Sequence, residues 1–244
     1  MFDAEKTRDD IVNWIIEYFR DNGKGCNAVI GISGGKDSSI VAALCARALG
    51  KDRVIGVLMP NGIQTDIDVS YSLCEFLGIK SYTISIGNMF NALMDELRSK
   101  LDSVSERTTI NVQPRLRMSV IYAVSQSVNG RVASTSNFSE DYVGYITRFG
   151  DALGDFAPIA KLTVDEVKAV GRALGLPSLF VDKLPVDGLT NKSDEENLGF
   201  TYEILDKFIR TGICEDENIK NKIIYLNQTN KFKFEPIPTF QYEP

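Results

Sequence analysis

The chain has 244 residues, of which 43% are apolar and 25% are charged, a balance typical of a globular protein with a full core. Its formal net charge of −6 argues against a protein whose main role is to bind nucleic acid, because phosphate neutralisation needs clustered Lys and Arg. The sequence contains no histidine, which excludes Ser-His-Asp catalysis, Cys-His catalysis and histidine-ligated zinc within this chain.

The apolar residues follow helical and strand periodicities in turn along the chain. Helices are predicted over residues 4–20, 37–49, 66–77, 89–101, 114–128, 164–174 and 202–209, and strands over 28–33, 54–59, 81–86 and 131–135. This alternation predicts an α/β fold in which helices cover both faces of a parallel sheet. The ligand site of such a fold is expected at the carboxyl ends of the strands.

Residues 184–197, "LPVDGLTNKSDEEN", form the most loop-like interior segment, with Pro, Gly and five charged residues. Composition leaves two interpretations open, a solvated loop and a lid that closes over substrate.

Targeting and redox features point to the cytoplasm. No stretch of about 18 consecutive apolar residues is present, so no membrane span is predicted. The first ten residues lack the basic start and apolar centre of a signal peptide. The cysteines show no Cys-x-x-Cys spacing and are expected to be buried thiols rather than disulfides or zinc ligands: Cys26, Cys45, Cys74 and Cys214.

The stretch "VIGISGGKDSSIVAAL", Val29 to Leu44, predicts a strand that breaks on two glycines and restarts as a helix. A Walker A loop is excluded, because it needs a glycine five residues before Gly35, where Ile30 stands. The Gly-x-Gly-x-x-Gly fingerprint is excluded too, because Ser33 and Lys36 occupy two of its glycine positions.

The remaining pattern is Ser-Gly-Gly-x-Asp-Ser at a strand-to-helix turn. Gly34 and Gly35 let the backbone approach an anion, Ser33 and Ser38 add hydroxyl donors, and the helix dipole favours negative charge there. Asp37 beside phosphate oxygens is a natural Mg²⁺ ligand. The alternative is a tight turn in which Asp37 only caps the helix, and the complete six-residue string favours the phosphate site.

This string resembles the signature of the N-type ATP pyrophosphatases, whose loop holds the β- and γ-phosphates of ATP while a substrate oxygen attacks the α-phosphorus. Three further segments resemble the ammonia-dependent NAD synthetases over nearly the whole chain: "NVQPRLRM" (111–118), "STSNFSEDYVGYITRFGD" (134–151) and "DEENLGFTYEILD" (194–206). The resemblance implies a single Rossmann-like domain over residues 1–244. It also implies that ATP adenylates deamido-NAD⁺ and that ammonia then displaces AMP to give NAD⁺.

The resemblance also implies roles for individual residues. Asp37 and Glu140 are expected to hold Mg²⁺, Asp37 and Lys36 to be catalytic, and Asp151 to orient ammonia or take its proton. ATP is expected to contact Gly31, Ile32, Ser33, Gly34, Gly35, Lys36, Asp37, Ser38, Met59, Thr135 and Lys161. Deamido-NAD⁺ is expected to contact Arg115, Arg148, Asp155 and Lys233.

The sequence departs from the family pattern at three places. A family Lys that contacts ATP is replaced by Val164, and Lys161 is the substitute proposed for it. A family Ser or Thr is replaced by Val186. The His of a C-terminal His-Lys pair is missing, so only Lys233 of that pair is carried over.

Free ammonia is the expected nitrogen source, because the chain has neither the length for a glutaminase domain nor the His of its triad; a separate ammonia-supplying subunit stays open. The family forms homodimers with substrate bound across the interface, so some of these residues are expected to serve the neighbouring subunit. Two alternative functions also stay open. One is a tRNA-modifying ATP pyrophosphatase, and the other is a non-catalytic nucleotide-binding regulator.

Overall fold

A parallel sheet forms the centre of the computed structural model, which describes residues 2–64, 67–182 and 193–243. Its strands are β1 (Asn27–Gly31), β2 (Val54–Leu58), β3 (Lys80–Thr83) and β4 (Gly130–Val132). Their order is β3-β2-β1-β4, and every neighbouring pair is parallel. In the register, Ala28 of β1 lies opposite Val54 of β2 and Arg131 of β4. The predicted parallel α/β sheet is confirmed.

Helices connect and surround these strands. In chain order they are α1 (Ala4–Asn22), α2 (Lys36–Leu49), α3 (Ile67–Leu77), α4 (Gly87–Lys100), α5 (Glu106–Ser127), α6 (Phe138–Val143), α7 (Val164–Ala173), α8 (Ser178–Val181), α9 (Asp194–Leu198), α10 (Tyr202–Thr211) and α11 (Glu217–Asn230). Short 3₁₀ turns follow α2 at Lys51–Arg53 and α11 at Lys231–Lys233. Within the described ranges, none of these helices has the length and apolar character needed to cross a membrane.

Helices cover both faces of the sheet, as the sequence predicts. On one face, Ala28 and Ile30 of β1 belong to a cluster with residues of α1, α2 and α7. On the other face, Val29 packs in a second cluster with Ile121 of α5. Because both faces are buried, successive strand residues are apolar instead of alternating with polar ones.

A third apolar cluster lies among the short helices that follow the sheet. It joins α6, α9, α10 and α11 through Val143, Leu198, Leu205 and Ile223, which are at most 5% exposed. This cluster fixes α6, whose first turn carries Glu140.

The helix predicted over 114–128 begins earlier than expected, so that prediction is wrong at its start. Helix α5 starts at Glu106, where the Ser105 side chain accepts a hydrogen bond from the amide of Thr108, and Pro114 lies inside it. Proline is favoured in the first turn of a helix, so Pro114 wrongly indicated that the helix begins there. It is buried, so packing outweighs its missing N–H.

Strand ends were also predicted too far along the chain. β3 ends at Thr83 instead of residue 86, and β4 ends at Val132 instead of residue 135. Beyond Thr83 the amide of Ile86 still donates to the carbonyl of Pro60, 2.9 Å away. Pro60 has no N–H to return a bond, so a regular ladder cannot continue there.

The described end of the segment 184–197 is helical, so the prediction of a loop is wrong there. Residues 194–197 are helical in α9, which Ser193 and Glu196 begin with a reciprocal capping box. The polar composition hid this helix start, although Ser-x-x-Glu was the available signal. Residues 184–192, with Val186, lie outside the described residues, so the lid interpretation stays a prediction.

The cysteines are free thiols. Cys26, Cys45 and Cys74 are buried as predicted, whereas Cys214 is only partly buried.

Candidate active site

The predicted phosphate loop connects β1 to α2 at the carboxyl end of the sheet. Gly34 has a φ of 81°, and Gly35 is the N-cap of α2, whose start makes no side-chain cap hydrogen bond. The amide of Gly35 donates to Ser33 Oγ over 3.2 Å, and Ser38 Oγ lies 3.2 Å from Ser33 Oγ. The loop is therefore held by its own hydroxyls, and an uncapped helix start suits an anion. Asp37 lies in the first turn, so the alternative that it caps the helix is wrong.

Asn137 joins the two carboxylates that were predicted to bind the metal. Its Nδ2 donates to Asp37 Oδ1 over 3.2 Å, and its Oδ1 accepts from the amide of Glu140 over 3.1 Å as the N-cap of α6. Asn137 is 0% exposed. One buried amide thus links the Asp37 carboxylate on α2 to the first turn of α6, which carries Glu140.

Lys36 lies within this carboxylate group. It is only 4% exposed, and its Nζ lies 2.8 Å from Asp37 Oδ2 and 5.7 Å from the centre of the Tyr202 ring. The Tyr202 hydroxyl donates to Asp194 Oδ2 over 3.2 Å. The ammonium is therefore surrounded by groups from α2, α9 and α10.

Three residues of this site received no role from the sequence: Asn137, Asp194 and Tyr202. All three lie within segments that carry the family resemblance. The available signal was their position in those segments, but which of their neighbours they meet depends on the packing of α6, α9 and α10.

The group is rich in negative charge. Burial and the neighbouring Asp37 carboxylate raise the pKa of Glu140 well above its usual range, although Lys36 opposes this. Burial alone would lower the pKa of Lys36, but Asp37 and Glu140 outweigh it and raise that pKa above its ordinary value. Both pKa shifts reflect an excess of acidic groups over basic ones, since the carboxylates of Asp37, Glu140 and Asp194 surround one ammonium, that of Lys36.

The donor set fits a hard divalent cation that is bound together with a nucleotide. Asp37 and Glu140 provide carboxylate oxygens, the ligands that Mg²⁺ prefers. Within the part of the chain that the structure describes, no three His, Cys, Asp or Glu side chains are grouped as a complete metal site. A partial protein set matches Mg²⁺, which takes its other ligands from phosphate and water.

A second group of predicted residues lies around residues 144–151, directly after α6. Arg115 Nε donates to the carbonyl of Arg148 over 3.4 Å. The Arg148 guanidinium lies 4.9 Å from the centre of the Phe149 ring and 5.5 Å from that of Phe232. The structure thus brings two of the predicted substrate-binding arginines together.

Lys233 and Asp151 shape the same segment. Lys233 Nζ donates to the carbonyls of Gly144, 2.5 Å away, and Ile146, 3.0 Å away. Asp151 Oδ1 accepts from the amide of Thr147 over 2.8 Å. Desolvation of the carboxyl raises the pKa of Asp151, although the residue as a whole presents surface to solvent. The segment begins directly after α6, about one helical turn beyond Glu140.

Two predicted contact residues have side chains engaged with the protein. The Asp155 carboxylate accepts from the amide of Val132 over 2.7 Å and from the Tyr122 hydroxyl over 3.2 Å. Lys161 Nζ lies 5.5 Å from the centre of the Phe138 ring. Their predicted contacts with deamido-NAD⁺ and ATP stay predictions.

Four other predicted ATP contacts lie at the end of a strand or up to three residues beyond it. Gly31 ends β1, and the amide of Ile32 donates to the carbonyl of Val57 over 2.9 Å. The Met59 carbonyl accepts from Arg117 Nε over 3.1 Å. Thr135 was predicted to end the fourth strand, but it lies three residues beyond the end of β4.

An open glycine loop and a pair of carboxylates at the carboxyl edge of a parallel sheet define a nucleotide-binding α/β enzyme. The sequence pattern of the NAD synthase family matches residues 7–240. The chain is 36% identical over 241 residues to the NH(3)-dependent NAD(+) synthetase of Thermococcus sibiricus, covering 94% of this chain and 93% of that protein. The chain belongs to the NAD synthase family.

Solved structures agree with this assignment. The NMN synthetase from Francisella tularensis superposes with a TM-score of 0.91 at 30% identity, covering 99% of this chain and 100% of that one. The NH3-dependent NAD synthetase from Campylobacter jejuni superposes with a TM-score of 0.80 at 28% identity, with the same coverage. The family resemblance inferred from the sequence is confirmed.

Proposed function

We propose that the chain catalyses the ATP-dependent amidation of deamido-NAD⁺ with ammonia, giving NAD⁺, AMP and pyrophosphate through an adenylated intermediate. Membership of the NAD synthase family makes the chain a ligase of NAD biosynthesis that forms a C–N bond and uses ATP as co-substrate. The comparisons give no support to a tRNA-modifying enzyme or a non-catalytic regulator. One structural observation carries the mechanism: Asn137 connects Asp37 and Glu140 beside the phosphate loop.

The phosphate loop holds the leaving group in this mechanism. Amides at the start of α2 and the hydroxyls of Ser33 and Ser38 face the pyrophosphate portion of ATP. Their preorganised dipoles stabilise charge that grows as pyrophosphate leaves. No covalent protein nucleophile is needed, because the carboxylate of the substrate attacks the α-phosphorus itself.

Asp37 and Glu140 are proposed as the protein ligands of Mg²⁺. A divalent cation there would neutralise phosphate charge and stabilise the leaving pyrophosphate. Burial and, after it, the nearby Asp37 carboxylate raise the pKa of Glu140, and a cation bound between the two carboxylates would relieve their repulsion. Asn137 holds the Asp37 carboxylate and caps the helix that carries Glu140.

The segment 144–151 is proposed to bind deamido-NAD⁺. Arg115 and Arg148 lie together there and suit its phosphates and carboxylate. Asp151 is proposed to orient ammonia or accept its proton. Lys233 supports this segment by holding its carbonyls, and its direct contact with deamido-NAD⁺ stays a prediction.

The proposal is tested by incubating the protein with ATP, Mg²⁺, ammonium and deamido-NAD⁺ and measuring NAD⁺, AMP and pyrophosphate. Failure to form NAD⁺ over a range of pH and salt would refute the reaction, and ADP in place of AMP would refute the role of the loop. Asp37→Ala should abolish turnover while circular dichroism stays unchanged. The matched control is Asp95→Ala, an exposed aspartate on α4, which should keep full activity.

A second candidate substrate is the deamidated mononucleotide, whose amidation gives NMN. It is favoured by the superposition on the NMN synthetase from Francisella tularensis, whose TM-score of 0.91 exceeds the 0.80 of the NAD synthetase from Campylobacter jejuni at equal coverage. Measuring kcat/KM for the dinucleotide and the mononucleotide under the same conditions decides between them.

We also propose that the chain acts as a homodimer in the cytoplasm. The dimer follows from the family resemblance, and sedimentation velocity tests it. The cytoplasmic location is supported by the free thiols, which are typical of a reducing compartment.

A further inference from the structure

We propose that Lys36 is a resident counter-cation of the carboxylate group and that it makes divalent-cation binding depend on ATP. The sequence predicts that Lys36 contacts ATP and is catalytic. The structure instead directs its ammonium to Asp37 Oδ2, 2.8 Å away, an oxygen of a proposed Mg²⁺ ligand. The inference rests on the proposed function only in the choice of this site as the metal site.

The surroundings of the Lys36 ammonium suit either an ammonium group or a divalent metal ion. Besides Asp37, the carboxylates of Glu140 and Asp194 act on it, and the face of the Tyr202 ring lies 5.7 Å away. A lysine that is 4% exposed is stable only with such compensation, because an unpaired buried charge is costly. Lys36 and a divalent cation therefore draw on the same negative charge.

Charge balance determines when both cations can be present. Lys36 cancels part of the negative charge of the three carboxylates and repels a second cation, so the group holds a divalent cation less strongly than it would without Lys36. The polyphosphate of ATP brings additional negative charge to the loop in which Lys36 lies. The cation and Lys36 are then both compensated, so the protein binds the cation weakly alone and tightly with ATP.

Mn²⁺ provides the test, because its binding to protein is read directly by electron paramagnetic resonance without any turnover. Wild-type protein, Lys36→Met and Lys36→Arg are titrated with Mn²⁺ alone. We expect Lys36→Met to bind Mn²⁺ about tenfold or more tightly than wild type, because one nearby positive charge is gone. Lys36→Arg, which keeps the charge, should bind as weakly as wild type.

The matched control is Lys80→Met, which removes another lysine placed over a tyrosine ring, with Nζ 4.9 Å from the centre of Tyr82. It should leave Mn²⁺ binding unchanged. Adding ATP should bring wild type and Lys36→Met to similar Mn²⁺ affinities. Equal Mn²⁺ affinity of wild type and Lys36→Met without ATP would overturn the inference. An equal increase in Mn²⁺ affinity for Lys36→Met and Lys36→Arg would overturn it too.

Lys36→Met leaves the carboxylates uncompensated, so its folding is followed by circular dichroism, and Lys36→Gln serves as a second neutral variant. Added Mn²⁺ should raise the Tm of either neutral variant more than it raises that of wild type. No larger rise would count against the inference. Because these measurements need no NAD⁺ formation, they fail or succeed separately from the proposed reaction.

Discussion

Asn137→Ala is expected to weaken both the fold and the metal site, because one side chain serves both. The substitution removes the N-cap of α6, where Asn137 Oδ1 accepts from the amide of Glu140 over 3.1 Å. It also removes the donor to Asp37 Oδ1 at 3.2 Å. Asn137 is fully buried, so water does not readily replace either bond.

The cost follows from these two bonds. Loss of an N-cap side chain costs about 1 kcal/mol, and loss of a hydrogen bond to a charged group costs about 1.5–3 kcal/mol. We therefore expect the free energy of unfolding to fall by roughly 2.5–4 kcal/mol. The concentration of Mg²⁺ needed for half-maximal activity should rise, because Asp37 and Glu140 lose their shared orientation.

Two further variants separate the roles of Asn137. Asn137→Ser keeps a capping hydroxyl but is too short to keep both bonds, so it should lose mainly the link to Asp37. Asn137→Asp keeps the cap but places a carboxylate against Asp37, so it should affect Mg²⁺ dependence more than it affects the helix.

Urea unfolding monitored by circular dichroism measures stability, and initial rates of NAD⁺ formation over a Mg²⁺ series measure the site. The reasoning is refuted if Asn137→Ala changes stability by less than about 0.5 kcal/mol, the range of ordinary surface substitutions. It is also refuted if Mg²⁺ dependence in all three variants equals that of wild type.

Three other changes have defined outcomes. Burial and Asp155 raise the pKa of Tyr122 to about 12. The protonated hydroxyl therefore stabilises the fold below about pH 10, and this stabilisation is lost as the pH rises through the folded pKa. Tyr122→Phe should flatten the fall of Tm between about pH 10 and 12. Asn230→Ala loses a hydrogen-bond donor to the carbonyl of Val143 at the end of α6. It should lower the free energy of unfolding, measured with urea, by about 1 kcal/mol and raise the KM for deamido-NAD⁺. Asn221→Ala, at an exposed position on the same helix, should change neither. Gly144→Ala places a Cβ 2.2 Å from Cβ of Asn230 at a residue whose φ is 67°. It should lower the free energy of unfolding by about 2 kcal/mol or more. Adding Asn230→Gly in the same chain removes the clashing Cβ and should restore part of that stability.

Local patterns predicted most of the elements that build the sheet. Helix α1 starts at Ala4 as predicted, and β2 starts at Val54 as predicted, because strong apolar periodicity marks both. Helices α6, α8, α9 and α11 were not predicted. Three of them are six residues or fewer, and such short helices are stabilised by packing more than by their own sequence.

The residues of the site likewise divide into those that local sequence predicts and those whose contacts depend on tertiary packing. The loop from Ser33 to Ser38 was predictable because its glycines, hydroxyls and helix start are neighbours in the chain. The use of Asp155 to hold β4 and α5 was not predictable, since its partners Val132 and Tyr122 are 23 and 33 residues away.

The sequence by itself determined the chemistry that is available to this protein. The absence of histidine limits the site to carboxylates, Lys, Arg, hydroxyls and backbone amides, and "SGGKDSS" specifies an anion-binding turn through residues that are adjacent in the chain. Only the tertiary structure decided how these groups are combined. Asn137 reaches Asp37 across 100 residues, and Lys36 is buried against Tyr202 of α10. Such contacts depend on how helices pack at the end of the sheet, a distance and orientation that no local pattern encodes.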